Sequence, residues 1–483
     1  MKKIIYSVLM LSVFLWSSCN DWLDVSPREQ VKSEEIYQTE SGYKMVLNGV
    51  YIDVVDAGLY GKNTTMYFPE LLARNFTIPS TAGTEKSIGT YDFTYSSVET
   101  LISNIYKNYY NAIAQINDLL ENLDKPGCKF NYNNDKLLRG EALGMRAFLH
   151  FDVLRFFGPV PATANDGDEG VPYVTSVTNE TSQLKSKTYK EDIDLILADL
   201  NKAEELLGQY DPAAHHSIDS LRSSQNIGKT NMPKDDWQMH RTNRFNYYAV
   251  LATKARLYHW TGNKEKAVEY AGKVLDAKKF KLIDGSTIDN SLDMYKEQIF
   301  GLENPDLQSI VEPLFGASSS ALSQTTTYLN KIYESTVNVN DIRYAGNRYW
   351  LEKTLSNGAK TRLFYKYTGN DNVKADNRVP LIRLAEMYLI MIEDNSLEAA
   401  KPYLQEYRTA RALDASVVDN ALANESALQK RLELEYRKEF MGEGQMFFYY
   451  KLHNITKFTM PSKFTVPTGG LVIPKPKGQT SFE

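Results

Sequence analysis

The sequence predicts a mainly α-helical protein in which paired helices carry a layer of long loops. Three observations predict this fold class. Apolar residues recur at helical spacing in several long stretches. Small residues on either side of a glycine turn allow two of these helices to pack closely. Long stretches rich in glycine, proline and tyrosine separate the helices, and loops of such length in a compact protein are usually functional.

Composition sets limits on the class of protein. The 483 residues are 42% hydrophobic and 24% charged, which is ordinary globular usage and argues against a disordered chain. A net charge of −5 argues against a dedicated nucleic-acid binder, because there is no basic excess to neutralise phosphates. Six histidines and two cysteines leave few metal ligands, so we expect neither a metal nor a cofactor. The 32 tyrosines suit both tightly packed helices and surfaces that stack on sugar rings.

The first residues have the pattern of a secretory signal peptide. Lys2 and Lys3 precede an apolar run that is too short to span a bilayer, and small residues then lead to Cys19. We therefore expect residues 1–18 to be removed and Cys19 to be lipidated, which would anchor the chain to a membrane. The alternative is a soluble secreted protein in which Cys19 is an ordinary thiol.

Residues 19–33 are predicted to form a tether and residues 34–483 a single domain. If Cys19 carries lipid, Cys128 is the one remaining thiol, so no intramolecular disulfide is expected.

Apolar stripes predict the helices one by one. The stripes lie at residues 43–54, 102–120, 138–156, 193–207, 248–258, 267–274, 397–407 and 428–440. The third stripe is stopped by Gly158 and Pro159. Residues 381–392 are apolar nearly all round, which predicts a fully buried helix.

The helices are predicted to pair. In residues 245–277, Leu, Ala, Tyr and Gly fall at the offsets of a tetratricopeptide repeat, although any antiparallel helix hairpin is the alternative. About four such pairs are expected. They occupy mainly residues 99–157, 188–277 and 381–441, and the loop-rich layer occupies residues 59–98, 209–243 and 280–379.

Four segments in order resemble the SusD/RagB family of surface lipoproteins. They are residues 19–24 (CNDWLD), 139–161 (RGEALGMRAF to RFFGPVP), 383–390 (RLAEMYLI) and 435–445 (EYRKE to GEGQ). A closing Val472-Ile473-Pro474 also resembles the family. Tyr436, Met446 and Tyr449 depart from the family's pattern, so a salt bridge near that helix end is not predicted.

The resemblance implies a fold and a function. It implies four tetratricopeptide-like units and a ligand surface built from the loops. It also implies a SusC-like TonB-dependent transporter as partner and an outer-membrane location through a lipid anchor. We expect the anchored protein to face the cell exterior. The ligand would be an oligosaccharide, or a peptide in the RagB branch, and no chemistry would be done on it.

Candidate ligand-binding residues are polar and aromatic groups in the loop-rich stretches. They are Arg74, Asn75, Tyr91, Tyr95, Trp237, Tyr349 and Trp350. Trp237 stands in a polar stretch, where an exposed indole would contact the ligand or the transporter. Tyr349 and Trp350 predict either a stacking platform or an edge strand that fills the core.

Other groups invite competing interpretations. Glu435 and Glu439 have the spacing of an acid/base pair on a helix, but adjacent Arg437 and Lys438 favour a charged helix face. His215, His216 and His240 lack the spacing of a known metal site. Residues 165–170 have oxygen ligands in a density that suits calcium, but a solvated turn is favoured.

Four functions therefore remain open. The first is a non-catalytic, lipid-anchored partner of an importer that binds oligosaccharides. The second is the same architecture binding peptides or another nutrient. The third is a surface enzyme such as a glycosidase, and the fourth is a helical-repeat scaffold that holds a protein partner.

Overall fold

A computed structural model describes residues 35–178, 184–288, 292–316, 320–354, 358, 360–369, 376–414, 417–460 and 462–480. The predicted signal peptide, Cys19 and the whole predicted tether lie outside the described residues. Over the ranges just given, no helix combines the length and the apolar character that a membrane span requires.

The described chain is mainly helical, as predicted. The helices are α1 (Glu40–Val55), α2 (Phe68–Leu72), α3 (Thr84–Gly89), α4 (Ser96–Asp124), α5 (Asn134–Phe157), α6 (Tyr189–Tyr210), α7 (Pro212–His215), α8 (Ile218–Leu221), α9 (Tyr247–Trp260), α10 (Lys264–Asp276), α11 (Leu307–Phe315), α12 (Thr326–Ile332), α13 (Leu384–Asp394), α14 (Leu397–Ala410), α15 (Val417–Ala421), α16 (Glu425–Glu439), α17 (Gln445–Leu452) and α18 (Lys477–Thr480). A π-helix, Asn63–Tyr67, precedes α2.

Short antiparallel strands lie between the helices. They are β1 (Gln298–Glu303), β2 (Ser323–Gln324), β3 (Trp350–Thr354), β4 (Lys360–Phe364), β5 (Arg378–Arg383), β6 (Lys457–Phe458) and β7 (Phe464–Thr465). β1 pairs with β5, β6 pairs with β7, and β4 lies between β2 and β3.

The long helices form the repeat scaffold. α4 packs on α5, α5 on α6, α6 on α9, α9 on α10, α10 on α13, and α13 on α14. Local sequence fixes the helix ends: Thr188 and Glu191 form a capping box at α6, and Gly262 takes a φ of +74° in the α9–α10 turn. The buried faces of the helices belong to one continuous apolar core. The predicted mainly α fold with tetratricopeptide-like repeats is therefore confirmed.

Many tyrosines serve the core rather than the surface. Buried rings keep a partner for the hydroxyl group, which removes the cost of burying it. Tyr60 donates to Asp152 at 2.6 Å and the half-buried Tyr51 donates to Glu141 at 2.8 Å. Tight packing therefore accounts for much of the tyrosine excess.

One predicted helix boundary is wrong. Residues 381–392 are buried almost throughout, but residues 381–383 complete strand β5 and the helix begins at Leu384. Arg383 is extended and stands opposite Gln298 of β1. An apolar run carries no period, so a buried strand that leads directly into a buried helix cannot be distinguished from one long helix.

The loop-rich layer is more ordered than its composition predicts. Residues 59–98 contain the π-helix, α2 and α3, and residues 280–379 contain β1 to β4 and the first two residues of β5. These elements are short, so their apolar periods are too brief to read from the sequence.

Candidate functional site

Three loops of the loop-rich layer contact one another through hydrogen bonds. We call the surface formed by residues 74–95, 320–330 and 344–352, with Arg362, the loop face. The Thr77 backbone amide donates to the Ser323 carbonyl oxygen at 2.8 Å, and the Gln324 side-chain amide donates to the Asn75 carbonyl oxygen at 3.2 Å. Gln324 in turn stands opposite Arg362 in the β2–β4 ladder. Backbone and side-chain hydrogen bonds thus join loops that are distant in the sequence.

Tyr344 is the ring on this face that suits a flat ligand. It is partly exposed and stacks on the buried Tyr333, with ring centroids 4.7 Å apart and planes 4° from parallel. Its hydroxyl donates to Asn330 at 2.7 Å. Burial raises the pKa of the Tyr344 hydroxyl, and the nearby Arg362 guanidinium opposes that rise. Arg362 also donates to Asn347 at 2.9 Å. The face therefore combines a held aromatic ring with guanidinium and amide groups.

Arg74 and Tyr95 are the sequence-predicted residues that keep access to solvent. Arg74 is partly buried, donates to the Gly89 carbonyl oxygen at 2.7 Å and lies over the Phe464 ring at 4.5 Å. Tyr95 is 40% exposed and precedes the first residue of α4. Both remain predictions as ligand contacts, and their positions allow such contacts.

Asn75 and Tyr91 are buried beneath the loop face. Asn75 donates to Glu70 at 2.8 Å and accepts from Arg437 at 2.5 Å. The Tyr91 hydroxyl donates to the Leu72 carbonyl oxygen at 2.8 Å. These side chains hold the loop in shape, and a ligand would reach them only by displacing their partners.

Trp237, predicted as an exposed indole, is only 7% exposed. The Arg244 guanidinium lies 3.4 Å above its ring, and Asp235 caps the short turn that carries it. The prediction that Trp237 is exposed is therefore wrong. Its polar neighbours in the sequence do not leave the indole in water, because polar side chains cover it.

Tyr349 and Trp350 follow the core alternative of the two that the sequence left open. They are 1% and 0% exposed, and Trp350 begins strand β3. The Trp350 indole donates to the Tyr333 hydroxyl at 3.3 Å. The sequence did carry a signal for the partly exposed Tyr344, which is the Gly346-Asn347 pair typical of a turn. Both residues have positive φ, and this tight turn places the neighbouring Tyr344 near the surface.

A buried ion cluster lies between the loop-rich layer and the scaffold. Glu439, at the end of α16, accepts from Arg383 at 2.7 Å, Arg411 at 2.8 Å and Arg343 at 2.9 Å. All four side chains have no exposed surface. We call the following set the Glu439 cluster: Glu297, Arg343, Arg383, Arg408, Arg411, Glu435, Glu439 and Glu443. Because Arg343 and Glu297 come from the loop-rich layer, the cluster ties that layer to the helices.

The same geometry argues against an acid/base role for Glu435 and Glu439, because neither side chain has exposed surface that a substrate could reach. Burial alone would raise the pKa of Glu435, but Lys438, Arg343 and Arg408 outweigh it and lower the pKa to about 2. The pKa of Glu439 also falls well below its usual value, because Arg411 and Arg383 overcome the effect of burial. A permanently ionised carboxylate cannot donate a proton near neutral pH. The predicted charged helix face packs inward, and salt bridges do form at this helix end.

The other polar groups singled out in the sequence have local partners. His215 lies 3.1 Å from the Gln209 carbonyl oxygen, and His240 lies 2.9 Å from the Ser224 hydroxyl. In the 165–170 turn, Asp168 accepts from the Asn165 amide at 2.8 Å and Glu169 pairs with Lys475. These contacts stabilise the turn.

The fold and the loop face together define a helical-repeat scaffold that presents a polar and aromatic loop surface. Two family models match consecutive parts of the chain. One, described as starch-binding associating with outer membrane, matches residues 21–216, and the other, described as the SusD family, matches residues 214–451. The chain belongs to the SusD/RagB family.

Relatives and solved structures agree with this assignment. SusD-like protein P38 of Formosa agariphila is 25% identical over 205 residues, which cover 41% of this chain and 36% of P38. A SusD superfamily protein from Bacteroides thetaiotaomicron superposes with a TM-score of 0.70 at 19% identity, covering 91% of this chain and 97% of that one. A SusD-like carbohydrate-binding protein from Bacteroides vulgatus gives 0.67 at 17% identity, covering 92% and 96%. At these identities the structures establish the fold.

Proposed function

We propose that this protein binds an oligosaccharide at the loop face, without catalysis, and delivers it to a SusC-like TonB-dependent transporter in the outer membrane. The observation that carries the proposal is the loop face itself in a chain of this family. It joins the Tyr344–Tyr333 stack, Arg362 and Asn347 with the accessible Arg74 on loops that hydrogen bonds fix in place.

The chemistry of this face suits sugars. A pyranose ring has an apolar C–H face that gains by covering an aromatic ring, and hydroxyl groups at its edge that need hydrogen-bond partners. Tyr344 offers the ring, while Asn347 and the guanidinium groups of Arg74 and Arg362 offer the partners. The pre-formed stack on Tyr333 reduces the ordering cost of binding.

We further propose that the mature chain forms a single domain over residues 34–483 and is held at the outer membrane through lipid on Cys19. The family description, which places its members in association with the outer membrane, supports this location. Mass spectrometry of the mature protein tests it: we expect an acylated Cys19 as the first residue, and an unmodified thiol there would contradict the anchor.

A binding screen tests the ligand class. We would titrate the protein with starch, xylan, pectin and mucin glycans, and with a tryptic casein digest as the peptide probe. Saturable binding to at least one glycan, and none to the peptides, supports the proposal. Binding to peptides alone would replace the oligosaccharide with a peptide, and no binding to any probe would favour the scaffold function.

Co-isolation tests the partner. We would solubilise outer membranes in mild detergent, recover the tagged protein and identify what accompanies it by mass spectrometry. A large TonB-dependent barrel in near-stoichiometric amount supports delivery to a transporter. Its absence, with Cys19 acylated, would contradict the transporter role.

A further inference from the structure

A second buried cluster of charged groups lies at the C-terminal end of α13, whereas Arg383 of the Glu439 cluster directly precedes the N-terminal end of that helix. His259 comes from the last turn of α9, Glu393 from the last turn of α13, and His453 directly follows α17. We call these three residues, with Asp394, the histidine cluster. One ligand atom from each of His259, Glu393 and His453 lies within 4.8 Å of the other two.

The polar atoms of this cluster face one another without being satisfied. The Nε2 atoms of His259 and His453 and both carboxylate oxygens of Glu393 are buried, and none of them makes a hydrogen bond of good geometry within the described residues, although His453 and Gln429 lie close enough to Glu393 to lower its pKa against the effect of burial. The His453 Nε2 lies 2.8 Å from Glu393 Oε1, and the His259 Nε2 lies 3.7 Å from Glu393 Oε2. Buried polar groups are almost always paired, so an orphaned set of four points to a missing partner.

The orientation of His259 is that of a metal ligand. Its Nδ1 lies 2.7 Å from Asp394 Oδ2, which fixes the ring and leaves Nε2 directed at Glu393 and His453. A carboxylate that holds one ring nitrogen, while the other nitrogen ligates, is the usual outer shell of a zinc-bound histidine. The His259 side chain is 9% exposed and that of Glu393 is 6% exposed, so the ligand atoms are held among packed helices.

The spacing and donor set fit a first-row divalent cation. Around tetrahedral zinc, nitrogen and oxygen ligands at about 2.0 Å from the metal lie roughly 3.3 Å from one another. The observed separations of 2.8 and 3.7 Å lie on either side of that value. Two imidazoles and one carboxylate are a zinc ligand set, whereas calcium and magnesium prefer oxygen alone.

The cluster also has room for a fourth ligand. It borders a cavity of about 300 Å³ that is also lined by Pro161, Thr261 and Gln429. His453, with 24% of its side chain exposed, stands on the accessible side. A water molecule could therefore complete the coordination from the cavity.

We propose that His259, Glu393 and His453 bind one zinc ion, or a cation of the same class, and that Asp394 positions His259. The ion would join α9, α13 and the end of α17, three elements that are far apart in the sequence. It would thus act as a structural clamp on the scaffold, separate from the loop face.

Metal titration of the full chain, purified without a histidine tag and treated with chelator, tests this proposal. With ZnCl₂ in calorimetry we expect one saturable site and a rise in thermal midpoint. With CoCl₂ we expect visible absorption bands of a four-coordinate ion, which a merely structural role of the histidines would not produce. His453→Ala should weaken zinc binding at least tenfold, and Asp394→Asn should weaken it about 10- to 100-fold.

His215→Ala is the matched control, because this surface histidine lies outside the cluster and should leave zinc binding unchanged. His453 is partly exposed at a helix end, so its removal should keep the far-ultraviolet circular dichroism spectrum of the parent. Failure of the unsubstituted chain to bind zinc and cobalt would overturn the proposal. Zinc binding by His453→Ala and His259→Ala that is as strong as in the unsubstituted chain would overturn it as well.

Discussion

The Glu439 cluster and the histidine cluster are both buried at helix ends, yet they differ in how completely their charges are paired. In the first, three guanidinium groups surround one carboxylate at hydrogen-bond distance. In the second, two ring nitrogens and a carboxylate lie close together, and none of these atoms makes a hydrogen bond of good geometry within the described part of the chain. A saturated cluster needs nothing more, whereas an unsaturated one is suited to receive a ligand. The Glu439 cluster therefore holds the loop-rich layer on the helices, whereas the histidine cluster is suited to bind a cation.

Removal of Glu439 should have the largest effect. Glu439→Gln leaves Arg343, Arg383 and Arg411 buried with a neutral partner, and losing one member of a buried ion pair costs about 3–5 kcal/mol. We expect the free energy of unfolding, measured in urea, to fall by at least that amount. Glu425→Gln on the same helix is exposed and should change it by less than about 0.5 kcal/mol. Equal effects of the two variants would show that the cluster does not hold the layers together.

Acid should weaken the same cluster. The pKa of Glu435 is about 2 in the folded chain against 4.5 in the unfolded chain, so its contribution is present above pH 4.5 and is lost as the pH falls toward 2. That difference corresponds to at most about 3 kcal/mol. Urea unfolding at pH 7, 5 and 3 measures the loss, and Glu435→Gln should flatten the dependence. An unchanged slope in this variant would assign the acid sensitivity to other groups.

The histidine cluster should tolerate change when no metal is added. His453→Ala removes a side chain whose Nε2 makes no hydrogen bond within the described residues, so we expect a loss of less than about 1 kcal/mol in chelator-treated protein. The comparison with Glu439→Gln is direct, because both act at buried charges. A loss of several kcal/mol in the free energy of unfolding without metal would mean that the charges of the histidine cluster are paired, as those of the Glu439 cluster are.

Exposed ion pairs should matter least. Glu269 on α10 lies 2.6 Å from Lys266 and 2.7 Å from Lys273, in contact with solvent. Glu269→Gln should cost no more than about 0.5 kcal/mol, since water screens such pairs. Thermal unfolding at low and high salt measures the difference, which should shrink as salt rises. A cost near that of Glu439→Gln would remove burial as the cause of the contrast.

The sequence predicts the scaffold well because long helices repeat their apolar pattern over several turns. The stripe at residues 102–120 became α4, and Gly158 ended α5 as expected. The exposure of side chains in the loop-rich layer could not be predicted, because aromatic residues there either pack into the core or lie at the surface. Trp350 and Tyr344 lie in the same short stretch of polar and aromatic residues, so composition does not distinguish them. The Trp350 ring is buried because strand β3 begins at this residue.

The two buried clusters were not predictable for a different reason. Their members come from separate parts of the chain, such as His259, Glu393 and His453, and no short motif joins them. The pairing of Glu439 with Arg343 and Arg383 likewise depends on how β5, α16 and a loop meet. Spacing within a single helix showed the carboxylates but could not show whether they face water or arginine.

We expect the ligand to bind at the loop face and not on the helical scaffold. Calorimetric titration with a glycan found in the screen tests this expectation. The triple variant Arg74→Ala, Tyr95→Ala, Tyr344→Ala should bind at least tenfold more weakly than the parent. The control Lys266→Ala, Lys273→Ala, on exposed positions of α10, should bind as the parent does. Equal affinity in the two variants would contradict the claim.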